Sequence, residues 1–413
     1  MTPSRADLER LDADDPLASF RERFDLPEGV IYLDGNSLGP LPKATRERLR
    51  NVVDREWGRD LIRSWTDNDW IGLPARCGAL IAGLIGADAA EVVAADSTSV
   101  NVFKLAAAAL ALRPGRRVVV SEPGNFPTDL YMVQGLARLL GPDRVELRLV
   151  ERDRLADAMG PDVALLLLTH VHYKTGAVHD MAGLTAAAHA AGALTLWDLA
   201  HSAGALPVDL TAAKADFAVG CGYKYLNGGP GAPAFLYVAR RHQEAAWQPL
   251  SGWMGHAAPF AFTDGYAPAP GVSRHLCGTP PVLSMAALEE GLKIAAAADM
   301  AAVRAKSMRL GDLFISLVER MCGPEAFRLV SPRDAAARGS QVSLAHADGY
   351  AIVQALIARG VIGDFRAPDV LRFGFAPLYV RHTDVWDAAA HLAEVLRTGE
   401  HRQDRFQARK AVT

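Results

Sequence analysis

Lys224 lies in Gly222-Tyr-Lys-Tyr-Leu-Asn-Gly-Gly-Pro-Gly231, between two tyrosines and with glycines on both sides. A lysine kept for solubility sits among polar residues on an outer helix face, whereas this one closes an apolar stretch. A partly desolvated amine of that kind can hold a carbonyl compound as a Schiff base. Trp197-Asp-Leu-Ala-His201 puts an acid, Asp198, and an imidazole, His201, at the end of an earlier apolar run. Asn125-Phe-Pro-Thr-Asp129 offers an aromatic face, Phe126, and a second acid, Asp129; Ser97-Thr-Ser-Val-Asn101 offers the hydroxyls of Thr98 and Ser99. Each has an ordinary reading when taken alone. Lys224 could snorkel to water, Asp198 could cap a helix, and Asp129 could be a first-turn acid favoured by the helix dipole.

The elements around them decide. Apolar runs at 92–96, 117–121, 145–150, 163–169, 193–198, 216–220 and 234–238 read as strands, about seven in all. Helical patterns at 102–112, 127–140 and 181–191 separate them. Strands buried on both faces and alternating with helices predict an α/β fold, a mainly parallel seven-stranded sheet flanked by helices. In such a sheet ligands bind beyond the carboxyl ends of the strands, where Asp198, Lys224, Phe126 and Asp129 fall. Strand, Ser/Thr turn and helix at 92–112 could seat a phosphate, and an ordinary N-cap would look the same.

Upstream, 7–24 reads as a surface helix and 30–42 as a short strand breaking into a Gly/Pro loop that presents Asn36 and Ser37. A charged amphipathic helix from 46 leads to Trp57, Trp65 and Trp70, followed by a helix over 76–85. Downstream come long loops at 251–256 and 266–281, then one long connecting helix from 282 past 298. Strands at 327–331, 341–344 and 370–375 with helices at 349–359 and 383–396 describe a small α+β domain, and the charged tail from 397 reads as frayed. The expected division is a 1–50 segment contributing to the small domain and the active-site loop, a 51–290 large cofactor-binding domain and a 291–413 small domain.

The chain has 413 residues, half of them hydrophobic, and a formal net charge of -3. That balance holds no basic field for nucleic acid or an anionic membrane, so a small molecule is the expected partner. Cys77, Cys221, Cys277 and Cys322 show no metal-ligand or disulfide spacing, and the first residues carry acids where a signal peptide is apolar. A cytoplasmic protein without a metal is expected.

An acid and a lysine at successive strand ends are the minimal kit for pyridoxal 5'-phosphate. The lysine forms the imine and the acid keeps the ring nitrogen protonated. The order of phosphate turn, Asn125-Phe-Pro-Thr-Asp129, Trp197-Asp-Leu-Ala-His201 and the Lys224 segment resembles the fold-type I aminotransferase superfamily, and within it the kynureninase family. Tyr32-Leu-Asp-Gly-Asn-Ser-Leu-Gly-Pro40, Gly252-Trp253 and Arg372-Phe-Gly-Phe-Ala-Pro-Leu-Tyr379 extend the resemblance over roughly residues 20–395.

The resemblance implies hydrolysis of L-kynurenine to anthranilate and L-alanine in tryptophan catabolism, with 3-hydroxykynurenine as an alternative substrate. It implies Lys224 as the Schiff-base lysine, Asp198 as the partner of the ring nitrogen and Tyr223 as a proton carrier. Asp129 and His201 belong near the ring; Thr98, Ser99, Tyr223 and Trp253 belong near the phosphate; Arg372 takes the substrate carboxylate. Trp253 and Thr279 come from the second subunit of a homodimer, and Thr279 stands where the family often has asparagine. Two rivals differ in their needs. A cysteine desulfurase or selenocysteine lyase on this scaffold needs a nucleophilic cysteine on a mobile small-domain loop, where the sequence has only Cys322. A ligand-sensing regulator needs a DNA-binding module, and the segment before Tyr32 is short and not basic.

Overall fold

The computed structural model describes residues 4–409. Its large layer starts with α1 (Leu73–Leu84), β1 (Val92–Ala94), α2 (Thr98–Leu112), β2 (Val118–Ser121), α3 (Pro127–Leu140), β3 (Glu146–Leu149) and β4 (Val163–Thr169). It continues with α4 (Met181–Ala190), β5 (Leu194–Asp198), β6 (Phe217–Gly220) and β7 (Phe235–Val238). The seven strands form one sheet in the order β1-β7-β6-β5-β4-β2-β3, in which only β7 runs antiparallel to its neighbours.

Period-two alternation divides β4 between two cores. Leu165 and Leu167 pack with Val102, Leu105 and Val133 of α2 and α3. Leu166 and Leu168 pack with Ile81 of α1, Trp197 and the helix α5 (Val282–Ala296). Every residue of β4 is buried, so the sheet has helices on both faces and its chemistry is confined to strand ends.

The chain continues through α6 (Met300–Cys322), β8 (Arg328–Leu329), β9 (Gln341–Ala345), α7 (Gly349–Ala358), β10 (Asp364–Arg366), β11 (Val370–Gly374) and α8 (His382–Thr398). Strands β8-β9-β11-β10 make an antiparallel sheet. Leu17, Phe20, Phe24 and Leu33 from the start of the chain share its core with Phe314, Val342, Phe373, Val385 and Leu392. Ile31–Tyr32 also pairs in parallel with Val361–Ile362, tying the first forty residues to the last hundred.

Four sequence expectations need correction. The connector is two helices, because Asp299 caps a new one with its side chain on the Ala301 N–H. The 7–24 helix is an α-helix over Arg5–Ala13 and a 3-10 turn over Ala18–Arg23, with Leu17 and Phe20 turned inward. The amphipathic helix from 46 begins at Lys43 and passes into a wider π-turn over Val52–Asp60. The tail is ordered well past 397: Phe406 is buried and Asp404–Gln407 is helical; the last residues, 410–413, lie outside the described residues.

At the sheet edge remote from Lys224, Asp216 is buried and accepts hydrogen bonds from His189, His242, Arg241 and Thr195. Burial alone would raise its pKa, but the bonds from His242, His189 and Arg241 hold it below the usual carboxylate range. A carboxyl depressed by folding adds stability above its unfolded pKa of roughly 4 and loses it as pH falls toward the folded value. Asp216→Asn should cost about 2–3 kcal/mol at neutral pH, the range for a buried charge-assisted centre. Urea unfolding from pH 7 to 3 should show the difference between variant and parent shrinking on the acid side.

Candidate active site

Lys224 follows β6 by four residues, in a loop whose shape depends on glycine. Gly229 and Gly231 have φ of +86° and +69° with open space where a Cβ would stand, so both serve the turn. Gly228 instead packs against the Gly222 carbonyl and Leu288. These glycines therefore serve the backbone of the loop. Room near Lys224 is controlled from the other end of the chain. The Gly39 N–H donates to the Tyr223 carbonyl at 2.7 Å, and a Cβ on Gly39 would stand 2.5 Å from the Lys224 carbonyl. The loop carrying Asn36 and Ser37 thus lies on the lysine's own backbone.

Lys224 is 8% exposed, and its Nζ lies 3.0 Å from His201 Nε2. Its ammonium stands 5.7 Å from the centre of the Phe126 ring and 5.8 Å from that of Tyr223. Phe126 caps α3 and meets Tyr173 edge-on at 5.3 Å. Asp198 ends β5, is buried, and accepts from the Ala200 N–H at 2.8 Å. Burial raises its pKa and Lys224 opposes the rise. Asp129 is fully buried, and burial together with the Asp198 charge lifts its pKa well above the usual range. Asn125 holds it, donating Nδ2 to Asp129 Oδ2 at 3.1 Å while its Oδ1 accepts from the Thr169 N–H. Burial, then the charges of Lys224, Arg372 and Arg366, push His201 well below the ordinary histidine value, so its ring is neutral. Tyr223 is half-buried; burial and the nearby Cys221 raise its phenol, which keeps its proton at neutral pH.

Three buried polar atoms at this edge have no hydrogen-bond partner among the described residues: Thr98 Oγ1, Asp129 Oδ1 and His201 Nδ1. Such orphans need an explanation, and a bound polar group is one. Thr98 and Ser99 are the first two residues of α2, whose cap is Ser97, so their N–H groups open toward the same edge.

On the small-sheet side Arg372 is 1% exposed. Its Nε donates to Asp364 Oδ1 at 2.9 Å, one terminal nitrogen to the Tyr173 carbonyl at 2.7 Å, and the other to Ser37 Oγ at 2.7 Å and to Asp364 Oδ2. Asn36 is fully buried, with Nδ2 3.4 Å from Gln341 Oε1. Gly374 has no room for a Cβ beside the Asn36 amide. Sequence reasoning missed Asp364, Arg366, Asn125 and Tyr173 as site residues. Asp364 and Arg366 left no strand signal, because two charges in three residues do not read as a strand, and Tyr173 acts through its carbonyl and left none either.

Trp253 and Thr279 are not brought to Lys224 within this chain. Trp253 sits in a surface loop with its ring against Phe260 at 5.7 Å, and Thr279 is exposed and makes no side-chain hydrogen bond among the described residues. Cys322 ends helix α6, and burial pushes its thiol up to about 11. It is neither on a loop nor a ready thiolate.

A buried lysine past a parallel strand, an acid one strand over and an open helix N-terminus on a seven-stranded sheet define a fold-type I enzyme of the aminotransferase class. Solved structures share the fold: an apo cysteine desulfurase from Thermococcus onnurineus superposes with a TM-score of 0.77 at 20% identity, over 92% of this chain and 98% of that one. A cystine C-S lyase complexed with its product cysteine persulfide gives 0.73 at 18% identity, over 89% and 98%. The family model for the kynureninase C-terminal domain matches residues 303–392. A kynureninase of Burkholderia pseudomallei is 54% identical over 99% of this chain and all of its own length, and one of Pseudomonas fluorescens is 52% identical over the same shares. The chain belongs to the kynureninase family. Pyridoxal 5'-phosphate is the cofactor of that family, and the amine, the acids and the orphaned polar atoms at this edge fit it.

Proposed function

We propose that this chain hydrolyses L-kynurenine to anthranilate and L-alanine at Lys224, as a step of tryptophan catabolism in the cytoplasm. The observation that carries the reading is the Lys224 amine, buried, beside a neutral His201 and near two buried acids of raised pKa.

Lys224 would anchor pyridoxal 5'-phosphate through Nζ, and Thr98 and Ser99 would hold its phosphate with hydroxyls and helix N–H groups. When bound, the cofactor supplies an electron sink for a carbanion. Asp198 would hold a proton at the ring nitrogen, and Phe126, Asp129 and His201 would line the cofactor site beside it. Lys224, released by the substrate amine, takes the Cα proton on Nζ. Arg372, with Asn36 and Ser37 beside it, orients the substrate carboxylate. Water adds to the γ-carbonyl and the Cβ–Cγ bond breaks. Cγ leaves in anthranilate with the added oxygen, and Cβ takes a proton carried by Tyr223.

Trp253 and Thr279 fit a role across a homodimer interface, as does the division into a 51–290 cofactor domain and a 291–413 small domain joined by residues 1–50. Support comes from a surface rich in apolar side chains: Trp57, Leu61, Ile62, Phe260 and Phe262 are all more than half exposed. An apolar pocket of about 430 Å³ lies between Trp57, Trp70 and Leu283. Among the described residues no helix is long and apolar enough to cross a membrane.

The purified holoenzyme should release a fluorescent aromatic acid from L-kynurenine and no sulfide from cysteine. Running 3-hydroxykynurenine beside L-kynurenine ranks the two substrates. Sulfide release without anthranilate would replace this reading by the desulfurase one.

A further inference from the structure

Arg372 and Asp364 are each 1% exposed and form a two-pronged ion pair. Taken alone that pair is neutral. A substrate carboxylate placed on it would bury a net negative charge, which is costly away from water. A neutral pair is a poor anion receptor.

A second guanidinium changes the count. Arg366 lies two residues past Asp364 on β10, and its terminal nitrogen is 2.7 Å from Asp364 Oδ2 and 3.4 Å from Ser37 Oγ. Its side chain is 36% exposed against 2% for Arg372. Arg366 and Arg372 both depress His201, so both charges reach the catalytic edge. Asp34 is the other acid here. Its Oδ1 is buried without a partner among the described residues, and burial with the Asp364 charge pushes it up to about 7, so near neutrality it carries only part of a charge. Lys174, the next cation along, is bonded to the Ala367 carbonyl.

We propose that Arg366 is a positioning residue for the substrate carboxylate: by sharing Asp364 it gives the Arg372 ion pair the one net positive charge an anion receptor needs. The proposal rests on Arg372 being the carboxylate clamp. With Asp364 held by Arg366 and Ser37, Arg372 can turn part of its fork to the substrate without leaving a buried carboxylate unpaired.

Charge arithmetic makes a test in the holoenzyme. Arg366→Gln should raise KM for L-kynurenine about 10- to 100-fold, the worth of a charge-assisted contact, with kcat changed far less. Arg366→Lys should recover most of that loss. The double variant Arg366→Gln/Asp364→Asn leaves Arg372 as the net positive charge and should bind better than Arg366→Gln alone. The visible cofactor absorbance and thermal midpoint of each variant report whether its fold is intact. If Arg372→Lys raises KM while Arg366→Gln does not, this inference is overturned and the clamp stands. If neither raises KM, the clamp reading fails and takes the inference with it. Should Arg366→Gln not fold, Arg366→Lys and the double variant decide: a double variant with a KM no better than about tenfold above the parent, while Arg366→Lys stays near it, overturns the charge count.

Discussion

Lys224→Ala will lose at least about a thousandfold in turnover of L-kynurenine, because one side chain is asked both to anchor the cofactor and to move the Cα proton. Its fold should survive. The ammonium makes one side-chain hydrogen bond, to His201, and its removal leaves a small cavity open to the cofactor site. Borohydride treatment of the parent should fix the cofactor to Lys224 and to no other residue. The same variant tests the shared site. Under the proposed homodimer, with Trp253 reaching across the interface, mixing and refolding it with Trp253→Ala should restore activity, since a hybrid would carry one site with both Lys224 and Trp253 intact. Absence of any regain would leave Trp253 acting within its own subunit.

Asp198→Asn will lower kcat by about 10²- to 10⁴-fold while leaving the protein as stable as before or slightly more so. The two effects separate because they have different causes. Burial disfavours the Asp198 charge, and Lys224 only partly offsets this, so a neutral amide of the same shape removes a strained charge. The Ala200 N–H can still bond the remaining carbonyl oxygen. What the amide cannot do is hold a proton on the cofactor's ring nitrogen. Asp129 should respond too, because the Asp198 charge is the second cause of its raised pKa, and its titration should move toward the ordinary carboxylate range. A parallel fall in thermal midpoint and kcat would mean that Asp198 holds the fold instead.

The strands that position the site were legible because nothing competes with an uninterrupted apolar run: 163–169 was read with the bounds the structure has. Helix breaks were harder. Alanine-rich sequence on both sides hid the cap at Asp299, although a lone acid before a new helix is a recognised start signal. Strand β10 was invisible for another reason. Two of its three residues, Asp364 and Arg366, are charged, and it is a strand only because β11 supplies its hydrogen-bond partners. The four chemical groups at strand ends were readable by type and spacing. Their couplings were not: the orphaned atoms of Thr98, Asp129 and His201, and the ion pair on Arg372, depend on side chains over three hundred residues apart in the case of Ser37 and Arg372.

The contact between Gly39 and Tyr223 and the pairing of Ile31–Tyr32 with Val361–Ile362 also set an order of events during synthesis. The stretch that braces the lysine loop is synthesised more than three hundred residues ahead of its partner strand. The nascent chain must therefore hold Leu17, Phe20, Phe24 and Leu33 without most of their core partners until the C-terminal third emerges. Closing so long a span is slow and leaves apolar surface bare meanwhile. Maturation of the lysine pocket thus waits for residues 361–362, and chaperone demand should peak before they emerge.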